Sequence, residues 1–209
     1  MKQNTSHAVM AQRHEDKSSL DFFPTPAWAT RALIEHVLRN DKNFKSMVCW
    51  EPACGAGHMS VSLNEYFGYV ISSDIHDYGF EHLEVIDFLN AEEYPNNVDW
   101  VITNPPFKEA EEFIKKGLMY ANEGVAMLVR TSFLESVGRY NRLYKNNPPS
   151  IVAQFVERVP MAKGRLDKKA TTATSYMWLV WNKSRPDGTD MVWIPPCRKE
   201  LEKENDYGT

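Results

Sequence analysis

The sequence predicts an α/β fold, a mainly parallel sheet with helices on both faces. Short apolar runs of strand length alternate with stretches of helical periodicity through residues 21–182, the order in which βαβ units bury their apolar surfaces. The polar residues best suited to chemistry fall at the carboxyl ends of those runs, where open α/β sheets bind ligands. The last two runs are joined without a helix, which predicts an antiparallel hairpin at one sheet edge.

Taken in order, residues 1–20 are polar and read as a flexible N-terminal arm, followed by one domain over 21–182. In Asp21-Phe-Phe-Pro-Thr-Pro26 the pair Thr25-Pro26 can cap and begin a helix running to about Arg39. Trp28, Ala32, Leu33, Val37 and Leu38 supply its apolar spacing. Met47 to Trp50 reads as a buried strand, followed by a glycine turn at 55–57 and a helix to about Phe67. Further strands are expected over Tyr69 to Asp74, His82 to Ile86, Val98 to Thr103 and Gly124 to Arg130, with a helix over Glu109 to Ala121. Ile151 to Val156 and Thr174 to Trp181 complete a set of seven. The polar, proline-rich tail over 183–209 predicts no regular structure.

Length and composition set the class. A chain of 209 residues suits one domain with a real core, and 43% hydrophobic with 25% charged residues is the balance of a soluble globular protein. No apolar run approaches the roughly 20 residues of a membrane helix, and the N-terminus lacks the apolar segment of a secretory signal. Three cysteines without a Cys-x-x-Cys pair argue against a disulfide framework or zinc knuckle, so a cytoplasmic location is expected. The six histidines show no metal-ligand spacing, and no metal is expected. The net charge is −4, but residues 130–169 hold nine Lys/Arg against three acids. That stretch is either a basic face for phosphates or a solvated loop.

Glu51-Pro-Ala-Cys-Gly-Ala-Gly57 follows the first strand. Its glycines permit close backbone approach, but Ser60 stands where a dinucleotide fingerprint has a third glycine. Glu51 would repel a pyrophosphate, so a ligand carrying an ammonium or sulfonium fits better. Asp74 ends the second strand 19 residues after Gly55, near the spacing at which an acid meets ribose hydroxyls. Asp87-Phe88 pairs an acceptor with a flat ring, a combination that suits adenine. Each of these, standing alone, reads better as an ordinary turn, cap or core residue.

Asn104-Pro105-Pro106-Phe107 is more specific, arising by chance in about one chain per several hundred of this length. Two prolines after a buried strand remove two backbone donors and leave carbonyls. An adenine or amide nitrogen is a poor nucleophile because its lone pair is delocalised. If the Asn104 side-chain oxygen and a proline carbonyl each accept one N–H, the nitrogen is held toward an attacking geometry. Phe107 can stack on a base drawn out of its helix.

In this order the segments Phe23-Pro-Thr-Pro26, Glu51 to Gly57, Asp74, Asp87-Phe88 and Asn104 to Phe107 resemble the Rossmann-like adenine-N6 DNA methyltransferases, over about residues 20–182. The resemblance implies a seven-stranded sheet with its last strand antiparallel, S-adenosyl-L-methionine as cofactor and DNA as partner. It implies that Phe23, Pro24, Thr25, Pro26, Glu51, Pro52, Ala53, Gly55 and Gly57 flank the methionine part of the cofactor. Asp74 and Ile75 would hold the ribose side and Asp87 with Phe88 the adenine ring. Asn104 would adjoin the cofactor and form, with Pro105, Pro106 and Phe107, the catalytic turn. Small solitary enzymes of this kind resemble those of phages or mobile elements.

Target recognition is left to residues 132–173 or to a separate subunit. Lys163, Arg165, Lys168 and Lys169 are the expected nucleic-acid contacts, the alternative being a solvated loop. The same chemistry suits an RNA adenine or a protein glutamine, and a non-catalytic cofactor-binding module is the rival from another class. Pro196-Cys197 lies beyond the last expected strand, the wrong place for the thiol of cytosine methylation, and Cys54 reads as a packing residue.

Overall fold

A computed structural model describes residues 21–38, 43–185 and 188–207. The expected arm over 1–20 and the expected helix end at Arg39 lie outside the described residues. The chain begins with α1 (Ala27–Leu33), prolonged by a π turn over Ile34–Leu38. Thr25 does not cap it, because its hydroxyl faces Asn104 instead. Pro26 occupies the cap position.

Next come β1 (Val48–Glu51), α2 (His58–Asn64), β2 (Tyr69–Asp74), β3 (Leu83–Val85), β4 (Trp100–Thr103), α3 (Ala110–Tyr120) and β5 (Gly124–Arg130). The short α4 (Val137–Arg139) leads into a π turn, then β6 (Ile151–Phe155), β7 (Tyr176–Asn182), β8 (Asp190–Ile194) and α5 (Arg198–Leu201). They form one sheet in the order β3-β2-β1-β4-β5-β7-β6-β8. All neighbouring pairs are parallel except those of β7, which runs antiparallel to both β5 and β6.

The sheet therefore has eight strands rather than the expected seven. Met191-Val-Trp-Ile194 is an apolar run of strand length whose flanking Asp190 and Pro195-Pro196 gave it a polar look. It pairs in parallel with β6 and becomes the sheet edge, so the antiparallel hairpin lies one strand inside. The chain beyond is held by Arg31 of α1, whose guanidinium donates to Glu65, Asp206 and the Leu201 carbonyl.

Side chains alternate across the sheet with the period of two that strands impose. Cys49, Trp100, Ile102, Ala126 and Leu128 join a core under α1 and α2, with Trp28, Leu33, Met59 and Leu63. Trp50, Val101, Val125, Met127 and Val129 join the opposite core under α3, with Phe113 and Ile114. Among the described residues no helix is long and apolar enough to cross a membrane.

Candidate active site

Strands β1 and β4 are neighbours, yet the chain leaves β1 toward β2 and leaves β4 toward β5. Strand order reverses between them, which opens a crevice at their carboxyl ends. The cleft there measures about 1480 Å³, beyond the roughly 300–1,000 Å³ usual for one small ligand. It has room for two reactants.

Glu51 ends β1 with 2% of its surface exposed, yet it lines the cleft. Its carboxylate accepts a short hydrogen bond from Ser60, whose oxygen in turn accepts from Ser72 at 2.7 Å. Ser60, at the place of the missing third glycine, thus orients Glu51. Burial, with a further push from the Asp74 charge, raises the Glu51 carboxyl to about 8. Glu51 forms no ion pair with a cation among the described residues, so the site suits a cationic ligand.

Asp74 ends β2 and is tied to the glycine turn: the Gly55 N–H donates to Oδ2 at 2.9 Å and the His76 N–H to Oδ1 at 3.1 Å. Burial raises its carboxyl as well. Gly55 and Gly57 have φ of 54° and 79°. A Cβ at Gly55 would lie 2.5 Å from the Phe22 ring, and one at Gly57 2.4 Å from the Phe80 ring. The space beside these glycines is filled by the protein's own rings, and Gly57 does not line the cleft. Ile75 does, with 63% of its surface exposed.

Asp87 and Phe88 both line the cleft, and each is also held by its own neighbours. The Asp87 carboxylate accepts from the Leu89 and Asn90 amides and the Asn90 side chain, a turn cap that lowers its pKa. Phe88 is 2% exposed, edge-on to Trp50 at 4.9 Å and against Phe113 at 4.8 Å. Two large core rings hold it where it lines the cleft.

The Asn104 turn follows β4. Asn104 Nδ2 donates to the Phe23 carbonyl at 2.9 Å and to Thr25 Oγ1 at 3.1 Å, with the Met161 sulfur at 3.7 Å. A carbonyl can only accept, so this contact fixes which way the amide points. Asn104 Oδ1 is then buried with no partner among the described residues. The Pro106 carbonyl accepts from the Glu109 N–H at 3.0 Å, whereas the Pro105 carbonyl accepts from no described residue. The Phe107 N–H donates to Asp21 Oδ2 at 2.8 Å. Phe23, Pro24, Thr25, Pro52, Ala53, Pro106 and Phe107 line the cleft; Pro26 and the buried Pro105 do not.

The β6–β7 loop closes the far wall, bonded through the Gly164 N–H to the Phe22 carbonyl at 2.9 Å. Lys163 and Arg165 line the cleft. Lys168 instead reaches Glu202 at 3.8 Å and the Tyr207 ring, and Lys169 is exposed away from the cleft. Sequence reasoning missed Asp21, Met161, Arg130 and Tyr176, all of which line the site. Their roles depend on contacts between residues 23 to 86 positions apart, and only the segment Asp21-Phe22-Phe23 hinted at one of them. The Cys197 thiol is pushed up to about 11 by burial, and Cys54 also upward, the reverse of what an attacking thiolate needs.

No protein-family model matches the chain, and no curated protein matches it in sequence. The fold is that of the Rossmann-like, class I S-adenosylmethionine-dependent methyltransferases. A candidate enzyme of that class from Listeria monocytogenes is similar at a TM-score of 0.56 and 14% identity, over 87% of this chain and 68% of that one. The modification subunit of a candidate type I restriction enzyme from Vibrio vulnificus is similar at 0.59 and 16%, over 87% of this chain. A candidate RNA methyltransferase from Pyrococcus horikoshii is similar at 0.57 and 16%, over 81% and 90% of the two chains. The chain spans 49% of the Vibrio subunit.

Proposed function

We propose that the protein is an S-adenosylmethionine-dependent methyltransferase acting on the N6 amine of adenine in DNA. The observation that carries this reading is Asn104: its NH₂ is committed to Phe23 and Thr25, and its oxygen is buried without a donor. Burying such an acceptor is costly unless a ligand satisfies it. An amine with two N–H groups answers both this oxygen and the Pro105 carbonyl.

The residues fit the cofactor. Glu51 suits an ammonium group, and Asp74, which lines the same cleft and is also bonded to the Gly55 turn, would suit the ribose hydroxyls. When bound, S-adenosylmethionine supplies an electrophilic methyl group on a sulfonium. Asn104 and Pro105 each accept one N–H of the adenine amine, which draws its lone pair out of conjugation and aims it across the cleft. The amine so held would take the methyl group that the sulfonium would release, and its surplus proton would leave to solvent. Phe107 carries the base and Lys163 with Arg165 the phosphates.

The likeness to a restriction-modification subunit favours DNA, and the likeness to an RNA methyltransferase supports RNA as a second reading. Purified protein with methyl-labelled cofactor is offered unmethylated DNA, RNA and protein in turn. The expected result is N6-methyladenine in DNA, lost in Asn104→Ala. Label in RNA or in glutamine redirects the substrate, and cofactor binding without transfer to any acceptor overturns the enzyme reading.

A further inference from the structure

The acceptor side of the cleft holds a charge that the reaction above does not use. Arg130 ends β5 at the carboxyl rim, is exposed, and lines the cleft. Its guanidinium carbon lies 3.8 Å from the centre of the Phe107 ring. That is the thickness of one stacked layer, so the guanidinium covers a ring face as a base would. Phe23 lies at 5.1 Å from the same ring, tilted by 45°. Across the ladder, Tyr176 is the register partner of Arg130, and the guanidinium charge acts on its buried hydroxyl. Arg130 forms no ion pair with a carboxylate among the described residues.

A guanidinium is planar, stacks flat on aromatic rings and is weakly hydrated, and it also binds phosphate through paired N–H donors. These two abilities define two positions for one side chain. We propose that Arg130 holds the acceptor slot closed in the free protein and yields the Phe107 face to a base that arrives with a phosphate, which then takes the guanidinium. This rests on the reading of Phe107 as the platform for the target base. Displacement by a nucleotide exchanges one stack for another and adds charge-assisted hydrogen bonds. Displacement by a neutral nucleoside leaves the guanidinium without a partner. The slot therefore selects for a phosphate-bearing acceptor regardless of base sequence, as backbone contacts do.

The wild type, Arg130→Gln and Arg130→Lys, each saturated with S-adenosylhomocysteine, are titrated by calorimetry with adenosine 5′-monophosphate and with adenosine. The wild type is expected to bind the monophosphate about tenfold more tightly, the order of one charge-assisted contact. Arg130→Gln should weaken the monophosphate several-fold and tighten adenosine several-fold. Arg130→Lys, which keeps the charge and loses the stacking plane, should tighten adenosine while retaining the phosphate preference. Changes of opposite sign for the two ligands are something a structural disturbance does not produce. Shifts of the same sign, an unchanged ratio, or a wild type that binds neither ligand overturns the proposal. Methyl transfer to DNA is scored on the same wild-type preparation. A protein that methylates DNA but lacks the Arg130-dependent preference loses this inference alone, whereas one that methylates no acceptor removes the reading beneath it.

Discussion

Asn104 and Glu51 face one cleft with complementary needs, an oxygen awaiting donors and a carboxylate awaiting a cation. Asn104→Asp sets a second oxygen against the Phe23 carbonyl, which repels it, so the turn loses its orientation. The turnover rate should fall on the order of 10²–10³-fold, the effect of losing one preorganised partner, read as initial rates with labelled cofactor. Glu51 makes a prediction in pH. Its carboxyl sits at about 8 in the free protein because it is buried, so it is largely protonated at neutrality. A bound ammonium favours the ionised form and expels that proton, so affinity for S-adenosylhomocysteine should rise from about pH 6 to about pH 8. Calorimetry on Glu51→Gln should show that rise flattened and weaker binding at pH 8. The same shift bears on stability with the opposite slope. A carboxyl that keeps its proton to higher pH when folded contributes stability below the usual glutamate range near 4.3, and loses it as pH climbs toward 8. The melting temperature of the ligand-free protein should decline over that window, and Glu51→Gln should remove this part of the decline. Both residues were legible in the sequence because one ends a strand and the other directly follows one, and each is marked by its neighbours, glycines for one and prolines for the other. Asp21 and Arg130 were not, since what makes them matter is the Phe107 backbone and ring, 86 residues away for Asp21.

At the scale of elements, strands β1 to β7 could be read from apolar runs, and their register follows from the alternation that buries two separate cores. β8 was hidden because a run of four apolar residues between an acid and two prolines is short enough to pass for tail. The glycine turn was legible as a turn but not in its packing. Its φ values were foreseeable from Gly-x-Gly, whereas the rings of Phe22 and Phe80 that fill the adjacent space arrive from other loops. Gly57→Ala should therefore destabilise the fold by about 1–3 kcal/mol, from positive φ together with the clash against Phe80. Urea unfolding reads this as a lower midpoint. Phe80→Ala in the same chain should return the steric share and leave the backbone share, which separates the two causes.

At the scale of the whole molecule, an acidic protein of net charge −4 would meet the proposed polyanion only through a local field. The count of nine Lys/Arg over residues 130–169 suggested such a face but could not say which charges remain outward. The fold spends several internally. Arg142 pairs with Glu111, Arg139 holds the Phe133 carbonyl, Arg158 binds the Ala173 carbonyl and Ser175, and Lys168 turns to Glu202. Besides Arg130, only Lys163 and Arg165 of the nine line the cleft. If these two neutralise phosphates, each contributes about 0.9 to the slope of log affinity against log salt. The double variant Lys163→Gln, Arg165→Gln should then reduce the slope for duplex DNA by about 1.8, and weaken unrelated sequences to a similar extent because phosphates carry no base identity. Lys168→Gln should leave the slope nearly unchanged. Binding titrations at four or five salt concentrations measure all three slopes. If the double variant keeps the wild-type slope while Lys168→Gln lowers it, the duplex lies over the C-terminal segment that carries Glu202 and Tyr207. The β6–β7 loop would then close the cleft without reading the backbone, and the basic surplus would serve the fold rather than the substrate.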